Sequence, residues 1–455
     1  MTRFDDLLQP DRGQTARAIE AIAPGDHDGW QARQSSRTKA MLAAQGFRGK
    51  PGHHATLPGE GEDWRIVAVV EDGPWSLAGL SAALPAGTYR VEGHDGGELG
   101  WLLGQYRFDR YRRGEDDGAR ILLTRDAAAI AETVALAGAT AQVRDLVNTP
   151  ASDCGPADLE AAAEALATRH GGTVTVRRGD ELERGYPMIH AVGHAAARNR
   201  APRLIELVWG DTTAPRIALV GKGVSFDTGG LDIKPSSGMR LMKKDMGGAA
   251  HALALAELVM AARLPVRLHL LIPAVENAIS GDAFRPGDVL RSRKGLTVEN
   301  TNTDAEGRLI LADALTRAGE EKPELILDFA TLTGAARVAL GPDLPPLFSD
   351  DEALARDLLT AGERTYDPLW RLPLWNGYDE LLKSDIADMV NAPEGGFAGA
   401  ITAALFLRRF VPTGIAWAHL DVFAWRPGAR PGRPKGGDAY GLRAAFAVLK
   451  QRYSG

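Results

Sequence analysis

Three stretches of the chain set acidic and basic side chains where they could bind a cation or move a proton. The first, Gly221 to Lys234 (GKGVSFDTGGLDIK), follows the apolar run Ile217–Val220 and carries Lys222, Asp227 and Lys234 among glycines. The second, Lys243 to Gly248, places Asp245 just before the glycines that open a helical pattern. The third, Asn300 to Leu309, offers Asp304, Glu306 and Arg308 at alternate positions. If the backbone is extended at Asp304, the two-residue period puts Asp304 and Glu306 on one face. Two carboxylates side by side repel, and a bound cation removes that cost. Arg308 then opens a helix, where a guanidinium beside free backbone N–H groups makes an anion site.

Each stretch alone has a plainer explanation. The first is a solvated loop, the second a helix-start acid favoured by the macrodipole by about a few tenths of a kcal/mol, the third a helix-start turn. A nucleotide loop fails on spacing, because Gly223 stands where a P-loop needs Ser or Thr. Together, four carboxylates from separate loops exceed what one ion needs for charge balance, and oxygen-rich ligands suit hard or borderline divalent ions. A two-metal hydrolytic site is the physical reading. The histidines do not compete: there is no H-E-x-x-H, and His190, His194, His251, His269 and His419 are dispersed, each read as packed or hydrogen-bonded. Cys154, the one cysteine, excludes intramolecular disulfides and multi-cysteine metal sites and is read as structural.

Positioning these loops requires strands. Leu204–Trp209, Ile217–Val220, Val266–Ile272 and Leu325–Phe329 are short continuous apolar runs, the mark of strands buried on both faces. Between and beyond them Ala157–Arg169, Gly248–Ala262, Leu309–Ala318 and Glu352–Glu363 read as helices. Upstream, Trp64–Val70, Thr88–Glu92 and Ile121–Thr124 read as strands and the Ala-rich Asp126–Val147 as a long helix. The expected fold is α/β with two domains: a smaller N-terminal α/β domain over 1–122, a linking helix over 123–143, and a larger catalytic α/β domain over 144–455 with a mixed central sheet flanked by helices. In such sheets ligands bind outside the carboxyl ends of the strands.

Composition narrows the classes. The chain has 455 residues, 44% apolar and 25% charged, and a net charge of -6, which excludes disordered and fibrous classes and argues against DNA binding as the main task. Met1–Gln14 lacks the apolar core of a signal peptide, and no apolar stretch is long and uninterrupted enough for a bilayer, so a cytoplasmic protein without a membrane partner is expected.

At the acidic loops the sequence resembles the leucyl aminopeptidase (cytosol aminopeptidase) family of two-metal exopeptidases. NTDAEGRL at Asn302–Leu309 matches the family signature without a change. Similarity also covers Val220–Gly230, Ile233–Pro235, Lys244–Ala250, Leu146–Pro150 and Ala330–Ala335. The resemblance implies two divalent ions per subunit, zinc or manganese, bridged by Asp227 and Glu306. Lys222 and Asp245 complete one site and Asp304 the other, and Lys222 needs a depressed pKa to act as a ligand. It also implies a metal-activated bridging water as nucleophile, Lys234 polarising the scissile carbonyl, and bicarbonate at Arg308 as base and proton shuttle. Thr331, Leu332, Gly334 and Met242 would line the substrate pocket. Peptides with a free N-terminus are the implied substrates and a homohexamer the implied assembly. The sequence departs from the family at His194, Phe423, Trp425 and Tyr440, and the N-terminal domain is similar only loosely, best at Tyr106–Tyr111. The alternative is a DNA-binding accessory protein on the same scaffold, with Arg107–Arg113 and Arg426–Lys435 as candidate basic stretches.

Overall fold

The apolar runs become the strands of two separate sheets. The computed structural model describes residues 2–59, 63–114 and 117–454, and its contacts divide the chain into two units, Met1–Ala141 with Gly428–Lys435 and Gln142–Pro427 with Gly436–Gly455. In the first unit six strands lie in the order Leu8–Pro10, Arg120–Thr124, Gly87–Glu92, Arg17–Ile22, Trp64–Val69 and His54–Pro58, all parallel except the last. Separate apolar clusters pack around Ile19, Ile66, Tyr89 and Trp101 and around Trp30, Leu42, Phe47 and Val67. Neighbours in the strand Trp64–Val69 thus serve different clusters, as the pleat requires. The helix expected from Asp126 begins at Ile130 and runs to Asn148. Asp126 instead closes a turn by accepting from the Ala129 N–H (3.1 Å).

The second unit holds a nine-stranded mixed sheet. Its order is Trp370–Arg371, Pro346–Phe348, Ala416–Asp421, Leu325–Ala330, Arg216–Gly221, Arg267–Asn277, Arg203–Trp209 and Thr173–Arg177, with Gly223–Asp227 also pairing along Arg267–Asn277. The four central strands from Ala416–Asp421 to Arg267–Asn277 are parallel. Two groups of helices cover the sheet. Gly247–Ala261 packs with Pro156–His170 and Leu442–Tyr453, and Glu306–Glu320 packs with Pro187–Gly193 and Gly399–Arg408. Gly247–Ala261 is buried almost all round, which its run of Ala and Leu permits.

Two irregularities aim the site. The strand from Arg267 runs five residues past the expected end at Ile272, through Pro273. Pro273 falls where the parallel partner changes, after the Leu271–Val220 pair and before Ala274–Gly223, so its missing N–H is not needed on that side. Further along, three steps from Val224 to Asp227 match two from Val275 to Asn277. The extra residue is a bulge, and it turns the Asp227 carboxylate out of the strand's alternation.

The segment after Asp421 is tied down by buried charge. Asp438 accepts from Arg144 (3.0 and 3.1 Å) and from Arg426 Nε (3.1 Å), and its N–H donates to the Ala424 carbonyl (3.1 Å). Arg426, at the head of one candidate basic stretch, is therefore buried and paired, also with Asp343, rather than facing solvent. Replacing Asp438 by alanine withdraws one carboxylate from two buried guanidinium groups. The D438A variant is expected to lose roughly 3–5 kcal/mol in urea unfolding of the full chain; a loss near zero would mean that this anchor does not matter.

Candidate active site

Every residue given a catalytic, metal or substrate role above lines one cavity of about 600 Å³: Lys222, Asp227, Lys234, Met242, Asp245, Asp304, Glu306, Arg308, Thr331, Leu332 and Gly334. Lys222 leaves the strand Arg216–Gly221 with its N–H on the Phe329 carbonyl (3.0 Å) and its own carbonyl accepting from Ala249 (2.8 Å). Its side chain then crosses Gly307, where a Cβ would come within 2.6 Å of Nζ. Glycine at that octapeptide position is a clearance requirement.

The side chains form an interlocked set of charges. Lys222 Nζ lies 2.7 Å from Asp245 Oδ2 and 3.0 Å from Glu306 Oε1. Lys234 Nζ lies 2.8 Å from Asp227 Oδ2 and also pairs with Asp304 Oδ1. Oxygens of Asp227, Asp245 and Glu306 stand within 4.8 Å of one another, and no other such acidic, histidine or cysteine group occurs among the described residues. Asp304 stands beside this group and is joined to Asp227 through Lys234. Asp227 Oδ1 accepts from the Gly229 N–H and from Asn277 Nδ2 (both 2.9 Å), and Asp245 Oδ1 accepts from Thr331 Oγ1 (2.9 Å).

Four carboxylates against Lys222, Lys234 and, at 3.6 Å from Asp245, Lys244 leave an excess of negative charge, and the carboxyl groups register it. Burial, followed by the Asp227 charge, pushes Glu306 up to about 8 and Asp304 up to about 6. Glu306 Oε2 is buried without a hydrogen-bond donor. An oxygen in that position, inside a ring of hard donors, fits a divalent cation.

Two expectations need correction. Asp304 and Glu306 are not united by an extended strand. Asp304 sits in a turn, with its N–H on Asn302 Oδ1 (2.8 Å), and Glu306 is the first residue of the helix Glu306–Glu320. Arg308 is accordingly the third helical residue, not the one that opens the helix. Its guanidinium is buried, Nη1 donates to the Asn391 carbonyl (2.6 Å), Nε has no acceptor, and burial lowers its pKa to about 10. The depression expected of Lys222 belongs to a bound dication together with burial; among the protein's own groups burial pushes it down, and the charges of Asp245, Glu306 and Asp227 outweigh burial and hold it above the ordinary lysine value.

The histidines behave as packed groups. His251 bridges the Gly247 carbonyl (2.6 Å) and the Tyr440 N–H (3.0 Å), His269 meets Glu206 (2.9 Å) and His419 meets Asp328 (2.5 Å). His190 and His194 stack at 5.2 Å, with His194 exposed. Cys154 is buried.

Residues 141–446 match the catalytic domain of the cytosol aminopeptidase family, and residues 18–124 match the N-terminal domain of M17 aminopeptidases. The chain belongs to the cytosol aminopeptidase family. It is 44% identical over 370 residues to a probable cytosol aminopeptidase of Syntrophotalea carbinolica, covering 77% of this chain and 74% of that one. Among solved structures it is similar to the cytosol aminopeptidase of Coxiella burnetii, with TM-score 0.93 and 46% identity over 98% of this chain and all of that one. The bottromycin maturation enzyme BotP in complex with Mn is a further neighbour, with TM-score 0.86 and 34% identity over 96% of this chain and 100% of that one. The chain is a metallo-aminopeptidase with a smaller N-terminal and a larger catalytic α/β domain. No helix among the described residues is long and apolar enough to cross a membrane.

The aminopeptidase site also depends on residues that the loop motifs do not reveal. Asn391 is buried and accepts from the N–H groups of Thr301 (2.8 Å) and Asn302 (3.3 Å), while its amide donates to Asn300 Oδ1 (2.8 Å) and the Asn302 carbonyl (2.7 Å). It fixes the turn that carries Asp304. Asp421, at the end of the strand Ala416–Asp421, accepts from the N–H groups of Leu332 (2.8 Å) and Thr333 (3.1 Å) and from Thr333 Oγ1 (2.6 Å). It holds the pocket loop. A polar residue at the carboxyl end of an apolar strand was the available signal for Asp421; Asn391 had none. Asp421→Ala leaves two backbone donors and a hydroxyl without this acceptor, and should cost roughly 2–4 kcal/mol. Amide exchange should speed up at Leu332 and Thr333 ahead of the sheet, and unchanged protection there would remove Asp421 from this role.

Proposed function

We propose that the protein releases the N-terminal residue of peptides, using two divalent cations held by Asp227, Asp245, Asp304, Glu306 and Lys222. The observation that carries this reading is the undonated, buried Glu306 Oε2 within the Asp227, Asp245 and Glu306 group. The manganese complex of the BotP neighbour supports a divalent ion and makes manganese, with zinc, the natural choice for assay. When bound, such cations supply Lewis acidity and a water acidified toward neutral pH.

The chain's own groups do the rest. Lys234 keeps its ammonium at the cavity between Asp227 and Asp304, and their charges, against burial, hold it above the ordinary lysine range. It is placed to donate to the carbonyl oxygen on which negative charge develops. Arg308 Nε, buried without an acceptor, suits a planar oxyanion such as bicarbonate, which would take and return the proton. Asp245 and Lys222 mark the end of the cleft that receives the α-amine, and this restricts cleavage to the first residue. Met242, Thr331, Leu332 and Gly334 shape the wall along which the substrate side chain and backbone lie.

The same reading places catalysis in 144–455, with 1–122 as a separate domain joined through 123–143. The relatives' common name supports a cytoplasmic location. The homohexamer is proposed from the family resemblance. A DNA-binding role gains no support from the buried Arg426.

Turnover of aminoacyl 4-nitroanilides by the purified chain with Mn²⁺ or Zn²⁺ tests the reading. Chelation and Asp304→Ala are each expected to abolish release, and Lys234→Met to lower kcat by about 10²–10³. Activity that survives both chelation and Asp304→Ala would end the metal mechanism.

A further inference from the structure

Next to the acidic group the cavity carries positive charge that the protein's own acids only partly offset. Lys244 is 95% buried yet has no hydrogen-bond acceptor among the described residues; Asp245 Oδ1 approaches its Nζ only to 3.6 Å and already accepts from Thr331. Arg337, on the helix Gly334–Leu340, makes no ion pair among the described residues. Both cations sit against the Phe423 ring, Lys244 Nζ at 5.3 Å and the Arg337 guanidinium at 4.8 Å from its centroid. All three residues line the same cavity as Met242 and Thr331. Asp421, the other acid of this wall, is taken up by Leu332 and Thr333.

Two cations held on one aromatic ring repel each other, and the ring quadrupole offsets only part of that cost. An anion reaching both would add a partner to a buried ammonium whose one carboxylate lies 3.6 Å away, and to a planar guanidinium, at once. Lys244 Nζ stands 3.6 Å from Asp245 Oδ1, and a residue whose α-amine lies against Asp245 carries its side-chain carboxylate one or two methylenes further on. We propose that Lys244, Arg337 and Phe423 form a carboxylate subsite that selects peptides beginning with Asp or Glu. This rests on the aminopeptidase reading and adds a substrate class to it.

The test compares kcat/KM for glutamyl, aspartyl, alanyl, leucyl and lysyl 4-nitroanilides, with free L-glutamate and L-leucine binding to the metal-loaded protein measured by calorimetry. The acidic anilides should exceed the leucyl one by at least about 10-fold. Arg337→Gln and Lys244→Met should lower the glutamyl-to-alanyl ratio by about 10–100-fold, and Arg337→Glu should turn the ratio toward the lysyl substrate. Arg337 is exposed, so its variants remain informative if the buried Lys244→Met fails to fold. L-Glutamate should bind more tightly than L-leucine and lose that advantage in Arg337→Gln. A leucyl or alanyl preference unmoved by these variants overturns the subsite and leaves the peptidase intact. Alanyl-alanine cleaved far faster than its C-terminal amide, with no effect of side-chain charge, would assign the cations to the far end of a dipeptide and likewise overturn it. Failure to hydrolyse any anilide would sink the aminopeptidase reading, and calorimetry would then decide the subsite alone.

Discussion

The fold must hold four carboxylates together against their mutual repulsion in a buried place, and much of the architecture near the cleft answers to that constraint. Close like charges in a poorly solvated cavity cost several kcal/mol unless opposed. Here the opposition is built in layers. Lys222 and Lys234 each span two acids, so that neither lysine can move without releasing a pair. Neutral donors then fix the outer oxygens: Asn277 and the Gly229 N–H on Asp227, and Thr331 on Asp245. Glu306 has only Lys222, and it carries the oxygen without a donor. The group left with the least compensation is therefore the one at the middle of the cluster, where a cation gains most.

Such a cluster needs rigid supports from distant parts of the chain, which is why a parallel sheet suits it. Lys222, Asp227, Thr331 and Asp421 all stand at or just past the carboxyl ends of adjacent strands, so sheet hydrogen bonding sets their separations. Close approach does the remaining work. A Cβ on Gly248 would stand 2.1 Å from the Phe329 carbonyl, so the helix Gly247–Ala261 can lie against the strand end and present Asp245 only with glycine there.

Much of this was legible in the sequence, for physical reasons that also mark where legibility stops. Apolar runs report burial on both faces, so the central strands and their polar C-terminal residues could be read locally. Pro273 hid the second half of its strand, because its tolerance depends on a change of partner that no local pattern records. The turn at Asp304 was misread as extended, since the groups that curl it belong to Asn302 and to Asn391, the latter 87 positions away in the numbering. The strength of the acidic field at Lys222 was not legible locally either, since the three carboxylates that oppose burial there come from separate loops. Long-range polar contacts leave no periodicity, and Asn391 shows how completely a buried asparagine can escape notice.

The loop beside the acids shows the same economy, with strain in place of charge. Ala424 adopts φ 55°, a left-handed conformation that costs a non-glycine residue about 1–2 kcal/mol. Nothing in its own sequence favours this, so the surroundings must impose it. Its carbonyl accepts from the Asp438 N–H, and its Cβ fills the space left by Gly247, where a second Cβ would come within 2.4 Å. This conformation follows directly on Phe423, whose ring has Lys244 and Arg337 against it. The buried Asp438 anchor, the missing side chain at Gly247 and the strained alanine thus act on one variable, the position of a single aromatic ring. A fold that accepts this cost at a loop beside its acidic centre, rather than placing a relaxed residue there, is constrained by what the ring must face.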